Sequence, residues 1–384
     1  MEVCEEVQFE GCNFMRQHLT YSILSGRPVT IKKIRSMNDE PGIKGSNMDG
    51  ICDVAILVEI MRSFVADFET KLLSMFEKIT NGTRIEISQT GTQIHFVPGM
   101  IQGGSVSMDC GTERCLSYFL EPLLMLAPFC KRPLSARLTG VTNAPDELSV
   151  DAVRSTWLPV FKKFVLNDEQ LDIKIVNRGL KPNGGGSIVF TAPIVRTLRP
   201  VQFESPGKVC KIRGMAYVTK VSPSLAHRMI ESAKQTLRGY IADVYITVDQ
   251  RKGDAGGLSP GYGLFLTAET TEGVVYHGES MSKPKDEAGT PLMAEDVGHL
   301  AASQLLDQIY LGGCVDGSAQ ALAVTFMTLC EKDVNKYLFG PLTTYWLASF
   351  CFDQSEKEKR LGSEDKAMLT CIGVGYSNLN KIVL

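Results

Sequence analysis

Segments in which hydrophobic and polar residues alternate recur through the first hundred positions, and this two-residue period predicts β-strands. Between them lie segments with hydrophobic residues at helical spacing, which end at Ser25-Gly26 and before Asn81-Gly82. The predicted order is strand, helix, strand, helix, strand, strand. The strands are residues 7–9, 29–34, 84–88 and 92–96, and the helices are residues 14–24 and a region that ends near residue 79.

The same order of elements repeats in the next hundred residues and defines a second unit. Thr112 is predicted as the N-cap of its first helix. In its second helix, Val153, Trp157, Val160 and Phe161 share one face, so we expect that face to be buried. The strands of this unit are residues 105–108, 134–138, 171–176 and 187–191, and the helices are residues 112–129 and 151–165.

A third set of elements near the end of the chain resembles the second unit, and a helix over residues 295–310 precedes it. Its predicted elements are strands at residues 314–316, 337–339 and 367–372 and a helix over residues 318–329. Three units of one βαβαββ type predict an α/β (α+β) main domain with a pseudo-threefold arrangement, in which each unit packs its helices on its own sheet.

The stretch between the second and third units does not follow this repeat and begins and ends with proline- and glycine-containing linkers. Its loop at residues 253–263 matches no Walker or dinucleotide pattern and is predicted to be a flexible connection. Its elements are strands at residues 215–221, 243–248, 263–269 and 274–278 and a helix over residues 223–237. We therefore predict repeat units one and two of the main domain over residues 1–197, an inserted small α/β domain over residues 198–291, and a shortened third unit over residues 292–384.

Composition changes this picture little, because 384 residues with 44% hydrophobic and 22% charged residues are ordinary for a globular protein. The formal net charge of −3 gives no overall positive field, so RNA contact would depend on local patches such as Lys32, Lys33 and Arg35. The 11 cysteines include no C-x-x-C pair, which is typical of reduced thiols in an intracellular protein. The sequence shows no signal peptide or membrane-spanning run, so no membrane association is expected.

The connection between the last two strands of the second unit combines cations with bare backbone. Arg178 and Lys181 precede Gly184, Gly185 and Gly186. Glycine tolerates positive φ and close approach by another group, and clustered N–H groups beside cations suit phosphate oxygens. A hairpin loop whose glycines only turn the chain fits the same residues, and local chemistry alone favours that simpler interpretation.

The exact spacing of this loop, Arg-Gly, two residues, Pro, one residue and three Gly, resembles the signature of the RNA 3'-terminal phosphate cyclase family. Residues 11–17 resemble the opening motif of the family, with Arg16 in a matching position and the glycines of the motif replaced. Further stretches resemble one branch of the family, the RNA 3'-terminal phosphate cyclase-like proteins. They are residues 41–43, 81–83, 98–104, 140–143, 212–217, 259–263 and 312–316.

Cyclases of this family use a histidine in the last unit as the nucleophile that takes AMP from ATP, because forming a phosphoramidate requires nitrogen. The last of the 5 histidines in this sequence, His299, precedes the third unit. Residues 300–384 contain no histidine, and residues 340–345 occupy the corresponding place. The resemblance therefore implies that cyclase activity is absent, that the protein is not an enzyme of this type and that it needs no cofactor.

The cyclase-like branch implies a role in ribosome biogenesis instead. It implies a protein of the nucleus and nucleolus that belongs to the small-subunit processome and supports early pre-rRNA processing for 40S assembly. Its expected partners are a processome GTPase, other processome proteins and pre-ribosomal RNA. In this interpretation Arg16, Arg178, Lys181 and the three glycines hold RNA phosphate without catalysis.

Two other functions stay open from the sequence. A pre-rRNA endonuclease would need positioned acids, bases or a metal site, for which Lys332, Asp333, Lys336 and Asp316 are candidates without a specific spacing. An active RNA 3'-phosphate cyclase would need an unrecognised nucleophile. Metal dependence of RNA cleavage would indicate the first, and consumption of ATP would indicate the second.

Two stretches depart from the pattern of the family. Residues 44–66 separate a Pro-Gly motif from the next helix, either as a true insertion or as a translated intron. After Tyr345, an aromatic segment gives way early to the charged residues 355–360, which is why the third unit is predicted to be shortened.

Overall fold

A computed structural model of the chain describes residues 6–36, 68–88, 90–166, 168–284, 292–342 and 366–378. The two interpretations of residues 44–66, and the predicted shortening after Tyr345, fall outside this described part. The fold is a mixed α/β structure in which parallel and antiparallel strand pairs occur within the same sheets. Buried hydrophobic side chains from the four larger sheets and their helices form one connected core.

The first unit forms a four-stranded sheet in the order β1-β2-β5-β4. β1 and β2 are parallel, and β5 is antiparallel to both of its neighbours. Gly26 ends α1 with a φ of 70°, as the Ser25-Gly26 pair predicts. The elements are β1 (Val7–Glu10), α1 (Met15–Ser25), β2 (Val29–Lys32), α2 (Phe68–Ile79), β3 (Thr80–Asn81), β4 (Arg84–Ile87), β5 (Ile94–Val97) and β6 (Met100–Ile101).

The second unit repeats this arrangement in the sheet β7-β8-β10-β9, again with a parallel first pair and antiparallel neighbours after it. A π-helical turn, Val153–Trp157, joins α4 to α5. The predicted face formed by Val153, Trp157, Val160 and Phe161 is buried, which confirms that expectation. The elements are β7 (Gly103–Asp109), α3 (Ser117–Leu126), β8 (Arg132–Gly140), α4 (Val150–Ala152), α5 (Leu158–Phe164), β9 (Asp172–Asn177) and β10 (Gly186–Ala192).

The prediction that Thr112 caps the first helix of the second unit is wrong, because α3 begins only at Ser117. The chain before it is held in a non-helical path. Cys115 forms an isolated parallel bridge with Val141, and its N–H donates to Glu147 Oε2 at 3.0 Å. A tertiary hydrogen bond has therefore replaced the local cap that the sequence predicts.

The inserted segment forms its own sheet in the order β13-β12-β14-β15. The predicted boundary at residue 292 assigns α7 to the main domain, but this helix packs against α6. Ser232 Oγ donates to the carbonyl oxygen of Glu295 at 2.7 Å, and a Cβ on Gly298 would meet the backbone of Met229. The domain boundaries themselves stay a prediction. The elements are β11 (Gln202–Phe203), β12 (Val209–Thr219), α6 (Ser224–Leu237), β13 (Val244–Arg251), β14 (Gly261–Thr270), β15 (Val275–Met281) and α7 (Ala294–Leu311).

The third sheet contains β11, β16 (Val334–Phe339) and β17 (Ala367–Ile372), after the helix α8 (Gln320–Leu329). The predicted strand at residues 314–316 is wrong. β11 pairs in parallel with β16, and the N–H of Cys314 donates to the carbonyl oxygen of Leu338 at 2.6 Å. The chain therefore lies beside β16 both before the inserted sheet, at β11, and after it, at Cys314. The threefold arrangement of the units stays a prediction.

An ion pair connects β15 of the inserted sheet to the segment before α8. His277 Nδ1 lies 2.9 Å from Asp316 Oδ2, and the backbone N–H of His277 donates to the same oxygen at 3.0 Å. Asp316 Oδ1 also accepts from Ser318 Oγ, which in turn accepts from Trp157 Nε1 at 3.2 Å. Burial favours the neutral ring, but the charge and hydrogen bond of Asp316 outweigh it and raise the pKa of His277 to about 9.

We expect this pair to make the stability of the protein depend on pH. Because the pKa of folded His277 is raised from 6.5 to about 9, its contribution is complete below 6.5 and is lost as the pH rises through about 9. In urea unfolding at a series of pH values, the advantage of the native protein over His277→Gln should shrink across that window. His299→Gln is the control, because His299 is exposed and its Nδ1 lies 3.1 Å from Thr236 Oγ1 at the surface. An advantage that is constant with pH would contradict the expectation.

Candidate nucleic-acid interface

Arg178, the first predicted site residue of the glycine loop, is buried, with 1% of its side chain exposed. Its Nη1 lies 2.6 Å from Asp151 Oδ2 and its Nη2 lies 3.2 Å from Asp249 Oδ2. Nη1 also donates to Asn143 Oδ1 at 2.9 Å, and the guanidinium lies over the ring of Tyr217 at 4.4 Å. Burial opposes the charge of Arg178, but its carboxylate partners outweigh burial and raise its pKa above the ordinary value.

The contacts of Arg178 connect the second unit to the inserted sheet. Asp151 belongs to α4 and Asp249 to β13. Burial raises the pKa of Asp151, but Arg178 outweighs burial and holds that pKa below the ordinary value. A guanidinium enclosed by two carboxylates is already neutralised, so this position makes Arg178 a structural element between two sheets.

The glycines of the loop allow backbone segments to pack closely. Gly184 and Gly185 have φ values of 63° and 80°. A Cβ on Gly185 would lie 2.8 Å from Leu258 Cγ, and the N–H of Leu258 donates to the carbonyl oxygen of Gly184 at 2.9 Å. A Cβ on Gly186 would lie 2.7 Å from the backbone nitrogen of Gly179. Protein atoms therefore occupy the space beside these glycines where an anion would have to approach.

The stretch over residues 253–263 contains the atoms that lie against Gly184 and Gly185. It is bonded to the glycine loop, so the prediction of a flexible connection is corrected. It begins with the 3₁₀ turn Gly253–Gly256. The N–H of Arg178 donates to the carbonyl oxygen of Ala255 at 2.9 Å. The N–H of Asn183 donates to Ser259 Oγ at 2.9 Å. The two glycine-rich loops of the sequence thus pack on each other.

Lys181, by contrast, lies at the surface beside a second cation. Its Nζ lies 3.2 Å from Glu147 Oε1, while Arg114 Nε lies 3.4 Å from Glu147 Oε2. The side chains of Lys181 and Arg114 are 26% and 40% exposed. One carboxylate therefore holds two solvent-accessible cations next to each other.

Tyr118 at the start of α3 lies between two guanidinium groups. The Cζ atoms of Arg16 and Arg114 lie 4.3 Å and 5.0 Å from the centre of its ring. Phe68 meets the same ring edge-on at 5.4 Å. Arg16 is also paired with Glu121 and donates to the carbonyl oxygen of Tyr118 at 3.1 Å. Burial raises the pKa of Tyr118 to about 12, so the ring stays neutral at physiological pH.

A further arginine extends this group. Arg35 Nη1 and Nη2 donate to the two oxygens of Glu69 at 2.8 Å and 2.5 Å. Glu69 follows Phe68 in the chain. We use the name cation–aromatic cluster for four cations and two aromatic rings, which are Arg16, Arg35, Arg114, Lys181, Phe68 and Tyr118. The paired carboxylates are Glu69, Glu121 and Glu147, which leaves the cluster with one excess positive charge.

The six predicted site residues thus separate into two groups. Arg16 and Lys181 belong to the cation–aromatic cluster, whereas Arg178 and the three glycines lie in the packed junction with the inserted sheet. The sequence did not single out Arg114, Tyr118 or Phe68. Arg114 and Tyr118 are four residues apart, but Arg114 lies in the non-helical stretch before α3, so helical spacing gives no signal for their contact.

Comparison with known proteins identifies the family. A model of the family "RNA 3'-terminal phosphate cyclase" matches residues 7–61 and 65–351. This chain belongs to the RNA 3'-terminal phosphate cyclase family. It is 58% identical to the "Probable RNA 3'-terminal phosphate cyclase-like protein" of Caenorhabditis elegans, with 99% of both chains covered. It is 43% identical to the human "RNA 3'-terminal phosphate cyclase-like protein", covering 98% of this chain and 97% of the human one. The "rRNA processing protein rcl1" of Schizosaccharomyces pombe is 38% identical, with 97% of both chains covered.

Three of the residues considered for cleavage of RNA bond to other groups of this family member. Asp316 is bonded to His277 and Ser318. Lys336 Nζ lies 3.4 Å from Glu204 Oε1, and Asp333 accepts from the N–H of the next residue in the chain at 2.7 Å. Among the described residues, no group of three His, Cys, Asp or Glu side chains is placed to hold a metal ion. In the same part of the chain, no helix is long and apolar enough to cross a membrane.

Proposed function

We propose that this chain is a non-cyclase factor in rRNA processing that supports assembly of the 40S subunit in the nucleolus. The observation that carries the proposal is the absence of histidine from residues 300–384 in a member of a cyclase family. Without a histidine in that region, the mechanism of the family lacks the side chain that accepts AMP. The similarity to the rRNA processing protein of S. pombe also supports a role in rRNA processing.

In this proposal the protein acts by binding. Its partners are a processome GTPase, other small-subunit processome proteins and pre-rRNA. The cation–aromatic cluster is the surface we propose for RNA, because Arg114 and Lys181 are accessible and held side by side by Glu147. Guanidinium and ammonium groups near aromatic rings are typical of single-strand RNA contacts.

The decisive experiment replaces the relative in S. pombe. We expect expression of this chain to restore pre-rRNA cleavage in cells depleted of the S. pombe protein, because the two chains match along nearly their whole length. Northern blots measure the ratio of uncleaved precursor to mature small-subunit rRNA. An active RNA 3'-terminal phosphate cyclase, expressed to the same level, is the control and should not restore cleavage.

Purified protein tests whether the chain lacks cyclase activity. With labelled ATP and an RNA that ends in a 3'-phosphate, we expect neither labelled protein nor a cyclic RNA end. A covalent adenylate would overturn the argument from the missing histidine. Failure to restore cleavage in S. pombe, together with an adenylate, would favour an active cyclase. RNA cleavage that requires a divalent metal would favour the endonuclease.

The cation–aromatic cluster gives a separate prediction for RNA binding. The double variant Arg114→Ala/Lys181→Ala should bind a single-stranded pre-rRNA fragment roughly 5–20 times more weakly, because two phosphate contacts are lost. The slope of log affinity against log salt concentration should fall by about 1–2. Fluorescence anisotropy across a salt series measures both quantities.

A second basic patch provides the matched control. Lys211 and Arg213 are also two surface cations paired with carboxylates, at 2.9 Å from Glu269 and 2.8 Å from Asp243. The variant Lys211→Ala/Arg213→Ala removes the same charge from β12 and should leave RNA affinity nearly unchanged. Equal losses in the two double variants would show that net charge, and not the cluster, determines binding.

A further inference from the structure

The sheet of the inserted segment has two edge strands, β13 and β15, which differ in what covers them. β15 is closed by side chains from other elements. The backbone N–H of His277 donates to Asp316 at 3.0 Å, and that of Glu279 donates to Gln304 Oε1 at 3.3 Å. The carboxylate of Glu279 also accepts from the N–H of Ser149 at 2.9 Å. Two outward N–H groups of this edge are therefore bonded to side chains of other elements.

The edge of β13 is open by comparison. In the described residues, the backbone of residues 245–250 has no hydrogen-bond partner other than β12. Tyr245 and Val248 are 62% and 41% exposed. β13 has 8 residues, which makes it the longest edge strand of the described sheets, and its sequence contains neither lysine nor proline. Proteins usually protect a long edge with such residues, because an open edge pairs with other strands.

The surroundings limit the length of this open edge. Arg251 Nη1 donates to the carbonyl oxygen of Val176 at 3.3 Å, and Asp249 is bonded to Arg178 and Arg251. The carboxyl end of β13 is therefore fixed against the second unit. The free part covers the five residues from Val244 to Val248, apart from the N–H of Val244, which donates to the carbonyl oxygen of Ala242 at 3.0 Å.

The side chains along the free part indicate what can bind there. Tyr245 and Val248 lie on opposite faces of the strand, because strand residues alternate between faces. The nearest cation at this end, Arg213, is paired with Asp243 in a two-bond contact of 2.8 Å and 3.0 Å. No unpaired charge of β13 faces the edge within the described residues. An extended segment with uncharged central residues can therefore bond to the open backbone groups of β13 and pack on the side chains of Tyr245 and Val248.

We propose that β13 binds an extended, centrally uncharged segment of a partner protein as a fifth strand of the inserted sheet. This mode gives affinity through main-chain hydrogen bonds and specificity through alternate side chains. A second copy of the chain fits less well, because pairing two five-residue edges buries far less than the roughly 1,200 Å² of a stable interface. This inference rests on the proposed function and adds to it the kind of protein segment that binds. Its test requires neither rRNA nor ATP.

The test uses the octapeptide Lys-Thr-Val-Thr-Val-Thr-Val-Lys as probe, with hydrogen–deuterium exchange of the full chain as readout. At saturating peptide, we expect exchange of the amides in β13 to slow by about tenfold or more. In Tyr245→Lys/Val248→Lys, the peptide should bind at least about tenfold more weakly. Tyr310→Lys is the control, because Tyr310 is exposed on α7 and should bind the peptide normally.

A modified peptide keeps the proposal testable on the unaltered protein. The same octapeptide with all six central residues N-methylated retains its side chains but loses the backbone donors of both strand edges, so it should give no protection of β13. Equal protection by both peptides, or protection confined to another element, would overturn the proposal. A concentration-dependent dimer in sedimentation that disappears in the edge variant would assign the surface to a second copy instead.

Discussion

Replacing Arg178 with alanine is expected to lower the free energy of unfolding by about 3–5 kcal/mol. The substitution leaves the buried carboxylate of Asp151 without its paired cation, while Asp249 keeps only its pair with Arg251. It also removes the guanidinium from the ring of Tyr217 and one hydrogen bond to Asn143. Urea unfolding at neutral pH, with the midpoint and slope fitted together, measures the loss.

Two further variants separate the causes of this loss. Arg178→Lys keeps the charge but cannot contact both carboxylates with a planar fork, so its loss should be intermediate. Arg213→Ala removes an arginine from an exposed pair with Asp243 and should change stability little. A loss below about 1 kcal/mol for Arg178→Ala would contradict the view that this ion pair connects the second unit to the inserted sheet.

The same variant distinguishes the structural role of Arg178 from the RNA-binding role that the sequence suggested. Arg178 bonds to Asp151, Asp249 and Asn143, whereas Arg16 bonds to Glu121 and to the carbonyl oxygen of Tyr118. If its role is structural, the folded fraction of Arg178→Ala should bind RNA with nearly the affinity of the native protein. A large loss of RNA affinity at full folding would support the original hypothesis.

The elements that depend on local pattern were predictable from the sequence. The end of α1 at Gly26 and the buried face of α4 and α5 follow from residues within one or two turns of each other. β17 begins and ends where alternation alone predicts. Local propensity and tertiary packing agree at these positions, so no distant contact changes the outcome.

The errors occur where a distant partner decides the structure. Thr112 has the chemistry of a cap, but Glu147 holds the preceding backbone in another path. β11 is a strand only because β16 lies beside it, and the N–H of Val201 donates to Asn335, 134 positions away. Neither partner leaves a periodic signal in the sequence.

The glycine loop of the candidate site was also ambiguous from the sequence, because its chemistry fits two different structures. A cation beside three glycines suits an anion or a second backbone equally well, since both require close approach to bare peptide groups. The contact of Leu258 with Gly184 and Gly185 favours the second backbone. The cation–aromatic cluster joins residues from five separate stretches of sequence, so composition and spacing could not reveal it.

Replacing Gly257 with alanine is expected to lower the free energy of unfolding by about 3–5 kcal/mol. Gly257 has a φ of 68°, a conformation that disfavours a side chain. A Cβ there would also collide with the carbonyl oxygen of Arg178 and lie 2.6 Å from that of Gly184. Both neighbours are backbone atoms of the opposing loop, so the two glycine-rich loops would have to separate. Urea unfolding gives the loss of stability, and hydrogen exchange should show faster exchange at Leu258 and Arg178, whose N–H groups bond across the loops.

Gly253 provides a matched control within the same loop. Its φ of 58° is also left-handed, but a Cβ built on it meets nothing within 4 Å. Gly253→Ala should therefore lower the free energy of unfolding only by the cost of placing alanine in a left-handed conformation, about 1–2 kcal/mol. The difference between the two alanine variants then contains the packing of one loop on the other together with the extra backbone cost at Gly257, whose ψ of −158° belongs to a region that is essentially restricted to glycine. If the two losses were equal, the close approach at Gly257 would contribute nothing, and the space beside the three glycines would be available to an anion as the sequence first suggested.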